Sequence, residues 1–189
     1  MELLYATRDG QSRKIAARIA ERLAERGIEV APQDLAGGRP SQASLETAEL
    51  VVVVAAIRYG KILPEALELL AAYEKLETQS KLVLLVVNLT SRKPGKETPE
   101  GSVYLRRAIA KYKLAPAFAR AIPGVLDYKR YSWRDRQLIR FIMFLTGGPT
   151  DPGTCIEYTP WDVVDDVALK IAELDGGITA ESASNTCEA

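Results

Sequence analysis

The stretch Leu3-Leu4-Tyr5-Ala6-Thr7-Arg8-Asp9-Gly10-Gln11-Ser12-Arg13-Lys14-Ile15 decides the fold. A short apolar strand runs into a turn carrying hydroxyls and a glycine, and the turn runs into a helix. That order aims unpaired backbone N–H groups and the positive end of the helix at one point, where a phosphate can sit. Thr7 and Ser12 bracket the turn as hydroxyl donors, and Gly10 permits close approach or a positive φ. Arg8, Asp9 and Gln11 complete the candidate phosphate turn. It is neither G-x-G-x-x-G nor G-x-x-x-x-G-K-[ST], so it is not a dinucleotide fingerprint or a P-loop. The competing use of these residues is an ordinary strand-to-helix turn in which Ser12 or Thr7 only caps the helix.

Outward from this turn the chain alternates strand and helix. Gln11–Arg26 reads as a helix with Ile15, Ile19 and Leu23 on one face and Gly27 as its stop. Ile28–Leu35 reads as a second strand, followed by a loop rich in Gly, Pro and Ser. Leu50–Ile57 and Lys81–Asn88 are continuous apolar runs, the mark of strands buried on both faces. Pro64–Leu76 and Thr98–Lys113 read as helices, Phe118–Val125 as a fifth strand, and Cys155–Tyr158 as a short strand. A last helix opens at Thr159-Pro160 and runs to about Leu174. The small, polar residues 175–189 read as a disordered tail. The pattern predicts an α/β fold, a doubly wound parallel sheet spanning residues 1–174; the first turn resembles that of flavodoxins, and the resemblance implies a flavodoxin-like sheet of five strands in the order 2-1-3-4-5. Ligands of such sheets bind at the carboxyl ends of the strands. The loops there are Thr7–Ser12, Ile57–Lys61 and Asn88–Lys96.

The 189 residues are enough for a full core, and 47% apolar with 26% charged residues is a globular balance. Charged Glu2 precedes a strand-like run, so no signal peptide is read, and no apolar run reaches bilayer length. Cys155 and Cys187 lie in unlike contexts and read as free thiols. Histidine is absent, which excludes a Ser-His-Asp triad, a Cys-His pair and any His-ligated metal. No metal site is read; enzyme chemistry would belong to an organic cofactor. The net charge of zero hides an asymmetry: residues 92–140 hold 13 basic and 4 acidic residues, residues 141–189 hold 1 and 9. The basic third points to an anionic partner, unless it only solvates helix faces.

The segment 127–151 breaks the alternation and reads as a helical insertion near the fifth strand. Ser132–Leu145 is a helix ending before Gly147-Gly148. Leu138, Phe141, Ile142 and Leu145 share one side, with Ile139 and Met143 beside them. Trp133 and Phe144 flank a stripe made by Arg136 and Arg140. Apolar groups almost all round, approached by Tyr128, Lys129, Arg130 and Tyr131, suit an anionic membrane surface through 128–145. Packing on the chain's own sheet or against a second copy, as a homo-oligomer, is the alternative.

The turn Thr7–Ser12 resembles the phosphate loop of flavodoxins, which hold FMN. By that resemblance Arg58, Tyr59 and Gly60 would meet the isoalloxazine ring, Tyr59 by stacking. Asn88, Leu89 and Thr90 would meet its pyrimidine edge. The alternative for Tyr59 is that it covers the sheet edge. Arg92, Lys93, Lys96 and Arg130 are candidates for a substrate carboxylate.

Further pieces resemble the flavodoxin-like, quinone-dependent protoporphyrinogen dehydrogenases of bacterial haem synthesis. They are Thr7-Arg8-Asp9-Gly10-Gln11, Ile57-Arg58-Tyr59-Gly60, Val87-Asn88-Leu89 with Arg92-Lys93-Pro94, Thr98-Pro99, Tyr128-Lys129-Arg130-Tyr131 with Trp133, and Asp135-Arg136. Gly147-Gly148, Thr150-Asp151 and Tyr158-Thr159 with Trp161 continue the likeness. The family has Ser where this chain has Ala6, and His where it has Lys61, which bears on contacts to substrate or quinone. The resemblance implies oxidation of protoporphyrinogen IX to protoporphyrin IX by FMN, with electrons passed to menaquinone or ubiquinone. It implies a cytoplasmic protein lying peripherally on the inner face of the cell membrane, without nucleic acid as a partner. A flavodoxin-type electron carrier and an NAD(P)H:quinone reductase are the alternatives on the same fold. The basic middle region argues against a carrier, since carriers usually show an acidic face to their partners.

Overall fold

The computed structural model of the chain describes residues 1–76, 80–145 and 147–176. In chain order its elements are β1 (Glu2–Ala6), α1 (Gln11–Ala24), β2 (Gln33–Asp34), α2 (Gln42–Thr47), β3 (Leu50–Arg58), β4 (Lys61–Ile62) and α3 (Pro64–Tyr73). There follow β5 (Lys81–Asn88), α4 (Val103–Lys111), β6 (Phe118–Pro123), β7 (Val125–Asp127), α5 (Trp133–Leu145), β8 (Cys155–Glu157) and α6 (Trp161–Gly176). Asp175 and Gly176 close α6; the rest of the expected tail lies outside the described residues.

The main sheet runs β2-β1-β3-β5-β6, all parallel, with β4 folded back antiparallel on β3. This is the expected 2-1-3-4-5 order, β5 and β6 being its fourth and fifth strands. The continuous apolar runs divide by alternation. Val51, Val53, Ala55, Leu82, Leu84 and Val86 face one core with α3 and α4 residues. Leu50, Val52, Val54, Val83, Leu85 and Val87 face the other, with residues of α1 and α6. Because side chains alternate along a strand, an unbroken Val/Leu run fills both layers.

Three elements differ from the sequence reading. The second strand shrinks from eight residues to Gln33–Asp34. Ile28 is drawn into the end of α1: its N–H bonds Leu23 O and that of Gly27 bonds Ala24 O, with Gly27 at φ 77. This is a Schellman motif, and Pro32 then offers no N–H to a ladder. The Pro/Ser loop contains α2, started by Ser41, whose hydroxyl accepts from Ser44 N. The fifth strand stops at Pro123, and the chain crosses to pair Val125–Asp127 antiparallel with Cys155–Glu157. That small ribbon carries the insertion. Leu126, Tyr128, Tyr131 and Met143 form a third core within it, with Tyr128 and Tyr131 edge-on at 6.1 Å.

Helix α5 is not a core helix. It buries Asp135 and Met143, while Trp133, Phe141, Phe144 and Leu145 are exposed. Among the described residues no helix is long and apolar enough to cross a membrane.

A charged clamp joins α1 to α6. Asp165 accepts from Arg18 Nε at 2.7 Å and Nη2 at 2.9 Å, and lies 3.1 Å from Arg22 Nε. The bonds from Arg18, then Arg22, push its carboxyl down to about 2. A depressed carboxylate contributes stability above its unfolded pKa, about pH 4, and loses it as pH falls through the folded value. Asp165→Asn is expected to cost about 1 kcal/mol at pH 7, the pair being partly solvated. The difference from the parent should shrink as pH falls through about 2 and vanish below it, as urea unfolding across this range will check.

Candidate functional site

A cleft of about 300 Å³ opens at the carboxyl ends of β1, β3 and β5, walled on its far side by α5. Its lining comes from the three predicted loops, the β7–β8 ribbon and the inner face of α5.

The first loop is shaped by Thr7 and Gly10. The Gly10 N–H donates to Thr7 Oγ1 at 3.0 Å, and Gly10 sits at φ 88, a conformation that favours glycine. Gly10 at the N-cap has no side chain to cap α1, which leaves the first N–H groups of the helix open to a ligand. Ser12 lines the cleft, is fully buried, and its Oγ has no hydrogen-bond partner among the described residues. Gln11 reaches across the fold: its Nε2 donates to Glu157 Oε1 and to Thr159 Oγ1, both at 2.8 Å, tying the turn to the end of the β8 ribbon. Asp9 lines the cleft. Arg8 does not; its guanidinium bonds Glu65 in the first turn of α3 and holds that carboxyl below the usual range.

The second loop is a hairpin, which the sequence reading missed. Ile57 pairs with Ile62 and Arg58 with Lys61, leaving Tyr59 and Gly60 as a two-residue turn at φ 51 and 72. Both positive values match the type I′ turn that suits strand twist. Tyrosine is unusual at its first position and is strained there. The side chain of Tyr59 is 63% exposed over the cleft. Arg58 bridges Asp9 Oδ2 at 2.9 Å and Asp135 Oδ2 at 2.6 Å. The Tyr59 hydroxyl donates to the other Asp135 oxygen. That bond, against burial and with help from Ser132 and Arg58, holds the Asp135 carboxyl below the usual carboxylate range.

The third loop turns on Asn88. Its Oδ1 accepts from Thr90 N at 2.9 Å, Thr90 Oγ1 at 2.6 Å and Ser91 N at 2.9 Å, winding Thr90–Arg92 into a 3₁₀ turn. The Nδ2 of Asn88 is buried without a hydrogen-bond partner among the described residues. Asn88, Leu89 and Thr90 all line the cleft.

The 3₁₀ turn also corrects the basic loop. Arg92 folds back, donating to Leu89 O at 2.6 Å with its guanidinium 5.8 Å from the Tyr158 ring, so it supports the insertion. Lys93 and Lys96 are exposed and do not line the cleft. Of the four cations named for a carboxylate, Arg130 does: its Nη1 donates to Asp9 O at 2.9 Å and its Nε lies 3.2 Å from Asp127. Lys14, Tyr104, Asp135 and Glu157 also line the cleft; none was named as a site residue from sequence, and Asp135 stood there only in the Asp135-Arg136 piece of the family likeness. Asp135 alone left a signal there, an acid between Arg134 and Arg136 in a basic segment.

The donor set suits a phosphate at one end and a flat, heteroaromatic ring at the other. The N–H groups at the start of α1 and the Ser12 hydroxyl would suit the phosphate. The Asn88 carboxamide N–H2 and the exposed Tyr59 face would suit the ring. Leu138, Ile139, Ile142 and Met143 make the opposing apolar wall. Cys155, exposed on β8, lies at the rim.

Comparison with known proteins agrees with this geometry. The family pattern described as a flavodoxin domain matches residues 3–153. Protoporphyrinogen IX dehydrogenase (quinone) of Escherichia coli strain K12 is 36% identical over 173 residues, covering 91% of this chain and 94% of that one. The Leishmania major protein of the same name is 33% identical over 187 residues, 98% of this chain and 80% of its own. Oxidised Flavodoxin 1 from Bacillus cereus superposes with a TM-score of 0.55 at 14% identity, covering 94% of this chain and 97% of that one. At that identity the superposition speaks for the fold alone. By sequence and by fold, the chain belongs to the flavodoxin-domain family and, within it, to the quinone-dependent protoporphyrinogen IX dehydrogenases.

Proposed function

We propose that the chain holds one FMN in this cleft and oxidises protoporphyrinogen IX to protoporphyrin IX, passing the electrons to a membrane quinone, menaquinone or ubiquinone. The observation that carries the reading is the pair of buried, partnerless polar groups, Ser12 Oγ and Asn88 Nδ2, on two of the loops that line one cleft. Such groups are costly unless a ligand satisfies them. FMN suits them better than FAD, because the turn ends in a helix with no second nucleotide loop. When bound, it supplies two-electron hydride chemistry that no side chain here offers.

The chain's own residues bind and orient. Thr7, Gly10, Gln11, Ser12 and the free N–H groups of α1 would hold the phosphate. Tyr59 would cover the ring, with the Tyr59-Gly60 peptide beside it. Asn88, Leu89 and Thr90 would meet the pyrimidine edge. The apolar α5 wall excludes water and accepts a tetrapyrrole or a quinone. Arg130, on the rim, would take a substrate propionate. The exposed apolar face of α5 supports the reading that 128–145 lies on an anionic membrane surface, where the quinone resides. Its head-group cations are Lys129 and Arg134, since Arg136 and Arg140 bond Tyr128 O and Thr150 O within the insertion.

The test is the visible spectrum of the purified protein, chromatography of the released flavin, and anaerobic turnover with protoporphyrinogen IX and a soluble quinone. A colourless protein that takes up no FMN overturns the reading. Turnover with NADPH and quinone but not with porphyrinogen would assign a quinone reductase instead. Arg130→Ala is expected to raise KM for the porphyrinogen about tenfold, the scale of one charge-assisted bond, with KM for a neutral quinone unchanged. Lys93→Ala with Lys96→Ala should leave both constants near the parent's, and steady-state kinetics will separate the two cases.

A further inference from the structure

Asp135 is an anomaly on its helix. It is 6% exposed on an element that leaves Trp133, Phe141, Phe144 and Leu145 exposed outside the cleft. A buried carboxylate needs partners, and beside neighbouring Ser132 those of Asp135 lie on the β3–β4 hairpin: Arg58 Nη2 at 2.6 Å and the Tyr59 hydroxyl. The arginines of α5 are used differently, Arg136 and Arg140 bonding the backbone of the insertion itself. Arg58 also holds Asp9 on the phosphate turn at 2.9 Å. One chain of contacts thus runs from the first loop through the hairpin to the insertion helix. Tyr59 stands at its centre in a left-handed conformation, φ 51, that a tyrosine does not adopt without support.

We infer that Asp135 is a positioning residue: through Tyr59 and Arg58 it fastens α5 to the β3–β4 hairpin, so that helix and hairpin close over the ring end of the cleft as one flap. The cofactor leaves, and large substrates enter, when this latch opens. The inference rests on the FMN reading for what lies under the flap, but not for the latch itself.

The experiment combines amide hydrogen exchange with flavin release on the full chain. In the protein without FMN, Asp135→Ala should raise exchange across residues 128–145 about tenfold, the scale of losing a hydrogen bond to a charged group, with β3 and β5 unchanged. In the protein loaded with FMN, release followed by the rise in flavin fluorescence should quicken about tenfold, and the residual fluorescence of the bound flavin should rise as Tyr59 loses its posture. Tyr59→Phe, which removes only the hydroxyl, should quicken release about threefold. Asp135→Ala/Tyr59→Phe should be no faster than Asp135→Ala alone, because the two act through one bond. Asp135→Asn, isosteric and uncharged, should fall between Tyr59→Phe and Asp135→Ala, and it carries the comparison if the alanine variant does not fold. Unchanged exchange and release in Asp135→Asn and Asp135→Ala would overturn the latch, as would strictly additive effects with Tyr59→Phe. A parent protein that binds no FMN would overturn the cofactor reading instead, while the exchange result still decides the latch.

Discussion

Ser12→Ala is expected to stabilise the protein without FMN and to weaken FMN binding. The two effects have opposite signs for one reason. Ser12 is fully buried and its Oγ finds no hydrogen-bond partner among the described residues. A buried unsatisfied hydroxyl costs on the order of 1–3 kcal/mol, so its removal should recover about 1 kcal/mol. In a domain of this size that is a rise of roughly 2–4 °C in Tm. A hydrogen bond to a phosphate oxygen is worth about 1.5–3 kcal/mol, so FMN affinity should fall at least tenfold. Thr7 is different, because its Oγ1 accepts the Gly10 N–H and shapes the turn. Thr7→Ala should therefore lose stability as well as affinity. Thr7→Ala/Ser12→Ala together should weaken FMN by about two orders of magnitude. Calorimetry of the FMN-free variants and fluorescence titration with FMN check both signs. Unchanged affinity in the double variant would remove the phosphate from this turn; a fall in Tm for Ser12→Ala would mean that its hydroxyl has a partner in the fold.

The parts legible in the sequence are those fixed by local chemistry. Uninterrupted Val/Leu runs of strand length read as strands buried on both faces, so the parallel sense of the sheet followed from alternation with helices, and its strand order from the likeness of the first turn to that of flavodoxins. Gly27 and Gly10 announced a helix stop and a tight turn, and both take positive φ. What stayed hidden depends on partners distant in the chain. Ile28 looks like a strand residue, but the end of α1 captures it. Arg8 and Arg92 flank candidate loops in sequence, yet their long side chains are claimed by Glu65 and by Leu89 O. Asp135 lies 76 residues from Tyr59, and no local pattern links them. The hairpin was missed because Tyr-Gly lacks the usual Asn-Gly signal, and the tertiary bond to Asp135 supplies what the sequence does not.

The other large effect is expected at the membrane. Phe141 and Phe144 are 59% and 73% exposed on α5, beside exposed Trp133 and Leu145. A cluster of this kind is costly in water and marks a surface that meets something apolar. Arg134 and Lys129 lie exposed near it and can meet anionic head groups. Burying one phenylalanine is worth about 1.5–3 kcal/mol, so Phe141→Ser/Phe144→Ser should lower partition onto anionic vesicles by about two orders of magnitude. Neither ring belongs to a core, so the variant should unfold within about 0.5 kcal/mol of the parent. Arg134→Ala should weaken binding to anionic vesicles several-fold, near 1 kcal/mol per cation, and leave the weaker binding to neutral vesicles unchanged. Co-sedimentation with vesicles of the two compositions reads all of these. If the parent stays in the supernatant with both, the membrane assignment fails. Sedimentation equilibrium then decides whether a second copy of the chain covers the same face: an assembly that falls apart in Phe141→Ser/Phe144→Ser would place the two rings in that contact.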